Sequence, residues 1–557
     1  MTIGLITKLA KVVPQLLDLV NPTKGSSVLA YPDPKAPAYL KTVSDIINME
    51  PVSVLRLVPK GTETTNLHNG TGRFALAAPI NALIQDMNAV GGGHIELTYG
   101  NHMLESYIQY LSHIKMTGLG DASVFKGMFA APVNRMLTSP ALVGQTDIRL
   151  KDFKVDRTGV NTEHGVILGG IDGLTIDNVT VWGFRPEVTS GAMGISPFNE
   201  FATIQSKNVD VKNCHIYQPN NFGIAYGNVS GGTLTKNLFT DAWREVIGLE
   251  TWGKTSVVED IVASHNILRM STRPGNHVGG SVGPAILVGG AGWEYAGLTR
   301  RCTIAHNIIT IDNAGNQPEY RGIVAVGGLT DASAVEDILF DTNLIYGAPS
   351  CGLAHGAAGS VTRRIHSRNN YLFTPNTSLN TGAKGAAINL RYATDCTSKG
   401  DTISGSIHTY AVYEDDGSLR NKFTDVDCGT PTVGMFRRNS DTSRFSMVGV
   451  EQSTGGARFQ EFVTIAAGQT VALSNRANPN RGTYRFEFSS GAYAHIHVVG
   501  DIAPVVLSKS VDVYVALVDS EANTQAFTIF PISNAALAIT NRTGVSRTLV
   551  VESLCAV

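Results

Sequence analysis

The run FTDAWREVIGLETW at residues 239–252 places Asp241, Trp243, Arg244, Glu245, Glu250 and Trp252 within fourteen positions. Several carboxylates together allow one to give a proton while another takes a proton or attacks, and an arginine beside them sets which one is charged. Indole rings add flat apolar faces for sugar rings. This is the equipment of acid–base chemistry on a glycan. Glu250 is the strongest single candidate, because an acid directly after a strand and beside Trp252 is hard to explain as packing. The others have simpler uses: Arg244 and Glu245 as a solvated pair, Asp241 as a turn former, the indoles as packing between subunits.

Positioning such groups requires a scaffold, and the chain repeats. Between about residues 148 and 402, strand-like runs are broken by Asn in TIDNVTV (Asn178), VKNCHIY (Asn213), LTKNLFT (Asn237), ASHNILR (Asn266), IAHNIIT (Asn307), FDTNLIY (Asn343) and SRNNYLF (Asn370), with Asp152 and Asp401 as weaker end members. A second run, usually opened by Gly, follows each: GVILGG, GISPF, GIAYG, GIVAVGG and GLAHG. Two phased ladders recurring every 24 to 41 residues describe a solenoid of stacked parallel rungs with insertions on its loops. Asn is expected to take the left-handed turn between strands.

If Ile195, Ile224, Ile247 and Ile286 share one inward position, then Glu200, Asn228, Glu250 and the Trp293-Glu294-Tyr295 segment leave their strands on one side, as a groove. Parallel rungs lie about 4.8 Å apart, so carboxylates on neighbouring rungs fall near the separations of retaining or inverting glycosidases. The expected site therefore has Glu250, Asp241, Glu245 and Glu294 for catalysis, with Trp243, Arg244, Trp252, Trp293, Tyr295, Glu200 and Asn228 for binding. Gly-rich excursions at 271–284, 289–300 and 312–320 lie nearby.

Composition narrows the alternatives. At 557 residues the chain holds more than one folding unit, and its 58 Gly and 16% charged residues suit short strands with tight turns. A formal net charge of −2 gives no electrostatic reason for nucleic acid as partner, and no apolar stretch is long enough for membrane insertion. Six scattered cysteines without CxxC predict no metal site and no disulfide framework, with Cys214 and Cys302 as buried small side chains. No cofactor is called for.

The flanks differ from the repeat. Residues 1–48 carry a near-helical apolar stretch and a Pro-rich tether, read as a docking helix rather than a signal peptide because Lys8 and Lys11 interrupt it. Residues 49–135 open the solenoid, with a helix at 77–90 closing the core. The repeat proper occupies 136–436, a polar linker 437–458, and seven or eight short strands 459–557, read as a β-sandwich of jelly-roll type. The fold class is thus all-β: a right-handed parallel β-helix with a short helical N-terminal region and a C-terminal β-sandwich.

The segment PVSVLRLVPKGTETTNLHNGTGRF (51–74), the helix after it, and GGGHIEL with Tyr99-Gly100 resemble the start of bacteriophage tailspike depolymerases of the pectate-lyase-like β-helix class. That resemblance implies virion attachment to a phage tail or adaptor protein through the N-terminal region. It also implies a homotrimer, and action outside the cell on bacterial capsular or O-antigen polysaccharide. The family has no single catalytic motif to carry over. Endo-glycosidic hydrolysis by paired carboxylates is the expected activity. A polysaccharide lyase acting at a uronate, with Tyr226, Arg244, Arg273 and His277 as its groups, is one alternative; a non-catalytic receptor-binding spike is the other.

Overall fold

The computed structural model describes residues 51–57, 75–128, 133–140, 142–158, 162–182, 193–198, 204–219, 222–242, 244–271, 283–290, 297–312, 321–348, 350–373, 385–404, 409–415, 417–427, 434–437, 444–447, 460–472, 481–499, 505–515, 525–533 and 536–555. The docking helix expected in residues 1–48 lies outside them.

Rungs coil around one continuous apolar core that runs from Val54 to Val426. Each full rung gives two strands to a 24-stranded parallel sheet, on either side of a bend, and one strand to a 12-stranded parallel sheet. The inward column is in register from rung to rung: Ile195 pairs with Ile224, Ile224 with Ile247, Ile247 with Ile286, and Ile286 with Ile323. Alternation puts these β-branched side chains inside, where each stacks on its counterpart one rung away.

Asn does two different things at the bend. Asn178 (φ 53°) and Asn213 (φ 55°) take the left-handed conformation as expected. At Asn237, Asn266, Asn307, Asn343 and Asn370 the expectation fails: the left-handed residue is the preceding one, Lys236, His265, His306, Thr342 or Asn369. These five Asn are buried instead. The Oδ1 of Asn307 accepts from the backbone N and the Nδ2 of Asn266, at 3.0 and 2.9 Å, and Asn343 does the same for Asn307. Each Nδ2 also donates to a carbonyl, as from Asn307 to Ala263 at 3.1 Å. The ladder ends on buried Asp401, whose Oδ1 accepts the backbone N and Nδ2 of Asn370 at 2.8 Å each. Its other oxygen accepts Ser367 and Ser398 hydroxyls, at 2.6 and 2.5 Å. A satisfied amide column of this kind fixes the stacking register, because a shift would strand buried donors.

Helix α1 (Ala77–Ala89) closes the first rungs by burying Ala77, Ile80, Ile84 and Met87, one helical stripe, on the core. Glu105 caps it, accepting the backbone N–H groups of Ala77 and Ala78 at 3.0 and 2.9 Å where the helix dipole favours a carboxylate. Past residue 460, a five-stranded and a four-stranded sheet share one core that includes Phe486, Ile496, Phe527, Ile539 and Val551. Cys214, Cys302, Cys351 and Cys396 are buried free thiols. Glu414 is fully buried at the end of Tyr410–Glu414 and accepts Asn421 Nδ2 at 2.7 Å.

Candidate active site

The carboxylates sit on the outer face of the 12-stranded sheet. Strand Ile247–Leu249 buries Ile247 and Leu249 in the core. Glu245 precedes it by two residues and occupies the place that Phe222 holds on the previous rung, since Ile224 pairs with Ile247. Gly283 lies against it: a Cβ there would stand 2.4 Å from the Glu245 carboxyl. Glu250 follows Leu249, which pairs with Tyr226 and Val288, so its equivalents on adjacent rungs are Gly227 and Gly289. Neither equivalent position carries a side chain of its own, and the Phe198 ring lies against Gly227, where a Cβ would stand 2.5 Å from it.

Glu250 is 6% exposed. Burial raises its pKa, the nearby Glu245 charge raises it further, and Arg244 opposes both; the balance pushes it up to about 8. Burial raises Glu245 as well, against the pull of Arg244, whose Nε lies 2.8 Å from Glu245 Oε2 as an ion-pair contact. The outcome is a Glu250 carboxyl protonated at neutral pH beside a second acid that burial also raises and Arg244 pulls back down. Two acids in such unlike charge surroundings can divide the roles of general acid and base or nucleophile.

Beside them lies an apolar patch separate from the core: Ile167, Met193, Phe222 and Ala225, with Trp252 packed on it. The Trp252 ring stands 5.8 Å from Phe198 and 5.6 Å from Phe222, centroid to centroid. A small recess, about 240 Å³ including its open mouth, is lined by Arg135, His164, Ile167, Met193, Phe198 and Trp252. His164 Nδ1 accepts the Met193 backbone N–H at 3.1 Å. Burial, with Arg157 and Arg135 adding to it, lowers His164 to about 3, so the ring is neutral. Sequence reasoning missed Arg135, His164, Phe198 and Phe222. The rung alignment contained them, two residues before or three after the inward position, but strict alternation would return the earlier place to the core; the strands depart from it, with Gly194 and Gly223 set against the core side chains Ile216 and Phe239 and with Met193 and Phe222 on the outer patch.

The other expected residues divide. Arg244, Glu245, Glu250 and Trp252 are brought together. Asp241 is exposed, left-handed (φ 53°), and turned to Tyr217, whose hydroxyl is raised by desolvation and by its hydrogen bond and charge interaction with Asp241. Asn228 is buried and structural, its Oδ1 accepting the Val257 N–H at 3.1 Å. Tyr226, a candidate lyase base, is fully buried in the core with its hydroxyl 3.1 Å from the Thr233 carbonyl oxygen and its pKa raised far above the ordinary value by burial. It cannot reach a substrate on the outer face. Glu200, Trp243, Arg273, His277, Trp293, Glu294 and Tyr295 lie outside the described residues. No group of three or more His, Cys, Asp or Glu placed to hold a metal occurs among the described residues.

Residues 142–339 match the family model of the right handed beta helix region. The chain is a right-handed parallel β-helix protein. Two solved tailspike protein mutants of E. coli bacteriophage HK620, each in complex with a pentasaccharide, share this fold at 12% identity and a TM-score of 0.50. The match covers 96% of this chain and 100% of the first, and 95% and 100% for the second. The A-module of a mannuronan C-5 epimerase from Azotobacter vinelandii matches at 16% identity and a TM-score of 0.43, over 67% of this chain and 96% of that one. A search of curated protein sequences finds no match. No helix among the described residues is long and apolar enough to cross a membrane.

Proposed function

We propose that this β-helix protein binds a bacterial surface polysaccharide, capsule or O-antigen, and depolymerises it by endo-glycosidic hydrolysis, as the tailspike of a phage virion. The observation that carries this reading is the buried, protonated Glu250 beside Glu245 and Arg244, next to an apolar patch on which the half-buried Trp252 packs. Glu250 gives its proton to the glycosidic oxygen as the bond breaks. Glu245 takes the proton from an attacking water, or attacks the anomeric carbon itself. Trp252, half-buried over Phe222, supplies apolar surface for a sugar ring. The likeness in fold to tailspikes solved with a pentasaccharide supports this placement in kind. Homotrimer formation and attachment to the tail through residues 1–48 belong to the same proposal.

The test is incubation of the protein with a panel of bacterial capsular and O-antigen polysaccharides, following polymer size, new reducing ends and ultraviolet absorbance together. Hydrolysis gives reducing ends without absorbance, and Glu250→Gln abolishes them. An unsaturated, absorbing product would replace the mechanism with β-elimination. Binding without shortening would leave a receptor-binding spike.

A further inference from the structure

One column of the outer face runs straight to the acid. Phe198, Gly227 and Glu250 each stand three residues past the paired inward residues Ile195, Ile224 and Ile247. Glu250 stays in the ladder, its N–H donating to the Tyr226 carbonyl at 3.0 Å, so Gly227 is its neighbour on the preceding rung. Gly227 brings no side chain, and Phe198 fills that place: a Cβ on Gly227 would stand 2.5 Å from Phe198 Cγ and 2.7 Å from its Cδ1. Two rung steps, about 10 Å, separate the Phe198 and Glu250 backbones, and a ring leaning over the glycine closes most of that gap. The lean is built into the turn. The buried Ser196 hydroxyl donates to the Ala225 carbonyl at 2.8 Å and accepts the Phe198 N–H at 3.3 Å, while the Pro197 carbonyl accepts the Ser206 hydroxyl at 2.8 Å. Trp252, two residues past Glu250, lies against the same ring at 5.8 Å between centroids.

We infer that Phe198 is a positioning residue for Glu250, its ring serving as the water-excluding wall on one side of that carboxyl. The inference rests on the proposed function and adds a residue to it. Phe198 is only 7% exposed, so its ring has little face left for a sugar and its contacts run to protein instead. An apolar ring beside a carboxyl displaces the water that would solvate the charged form, and so favours the form that carries the proton. Burial is the leading cause of the raised Glu250, ahead of any charge. The charges that act on it are Glu245 and Arg244, both from its own segment. The strands packed beside it, Met193–Ser196, Phe222–Tyr226 and Pro284–Gly289, bring no charged side chain, and their one titratable group, Tyr226, is sealed in the core. Water exclusion is therefore what the neighbouring rungs contribute, and with glycine at 227 and 289 the bulky member of the column is Phe198.

The experiment titrates Glu250 without substrate and with it. The first titration follows the infrared band of the protonated carboxyl from pH 5 to pH 9, each protein referenced to its own Glu250→Gln partner. The second follows the alkaline limb of kcat/KM on a polymer that the protein cleaves. Phe198→Ala admits water beside the carboxyl, and a better-solvated acid ionises at lower pH. Both midpoints should therefore move down by roughly one pH unit, a part of the about 3–5 units that full burial can impose. Gly227→Ala pushes the ring away from its other side and should give the same shift. Phe198→Leu keeps an apolar cover and should hold both midpoints near those of wild type. Should Phe198→Ala fail to fold, Gly227→Ala decides. Midpoints that stay in place overturn the inference, and a rise in KM alongside them would make Phe198 a sugar contact. A wild-type protein without the band at neutral pH overturns both the inference and the acid role of Glu250. If no polymer is cleaved, the proposed function falls, while the infrared titration still decides whether the ring controls the carboxyl.

Discussion

Replacing Glu250 by Gln should make the protein more stable at alkaline pH while abolishing the proposed polysaccharide cleavage. Between the unfolded carboxyl pKa, about 4.5, and the folded value of about 8, the native state holds a proton that the unfolded chain has lost. Stability then falls as pH rises, by up to about 1.4 kcal/mol per unit. The full window corresponds to at most about 5 kcal/mol, and effective screening in real proteins brings it nearer about 2–3 kcal/mol. Gln copies the neutral acid in shape and carries no charge to bury, so the variant lacks this loss. With unfolding entropy of roughly 2.1 cal/mol/K per residue over 557 residues, 1 kcal/mol moves the melting temperature by about 1 °C. Calorimetry at one scan rate from pH 5 to pH 9 should show Glu250→Gln gaining about 2–3 °C on wild type across that range. Parallel profiles would refute the reasoning, since they require a Glu250 already ionised in the folded protein at pH 5. The same group predicts an alkaline limb in kcat/KM near pH 8 for any polymer the protein cleaves.

Gly283→Ala should reduce cleavage more than tenfold with little change in melting temperature, because the new Cβ would meet the Glu245 carboxyl at 2.4 Å and push it aside; unchanged turnover in reducing-end assays would remove Glu245 from the mechanism. Asn307→Ala cuts the amide ladder at its centre, stranding buried donors of Asn266 and the Ala263 carbonyl, and should cost about 3–5 kcal/mol, read as a lower melting temperature or lost soluble yield. His355→Leu should stabilise by about 1–2 kcal/mol in the same calorimetry: the ring is fully buried, burial depresses its pKa to about 3, and neither nitrogen has a partner among the described residues.

Much of the fold was legible in the chain because its determinants are local and repeat. Apolar alternation, the Gly-opened second run and the recurring Asn mark each rung, and aligning Ile195, Ile224, Ile247 and Ile286 reproduces the observed register. Local sequence also singled out Glu250, Glu245, Arg244 and Trp252. What Asn does at each bend was not legible, since a left-handed Asn178 and a buried, ladder-forming Asn307 read alike until their neighbours on the next rung are known. Likewise Tyr226 and Phe222, four residues apart in one strand, go to opposite sides of the sheet, one sealed in the core and one on the outer patch. The state of the site belongs to tertiary structure for the same reason. A carboxyl is an ordinary acid until burial and a second charge shift it, and the groups that bury Glu250 and build the Arg135–His164 recess come from rungs separated by dozens of residues. Periodicity determined that rungs would stack; only the stacking decided which side chains share a low-dielectric face.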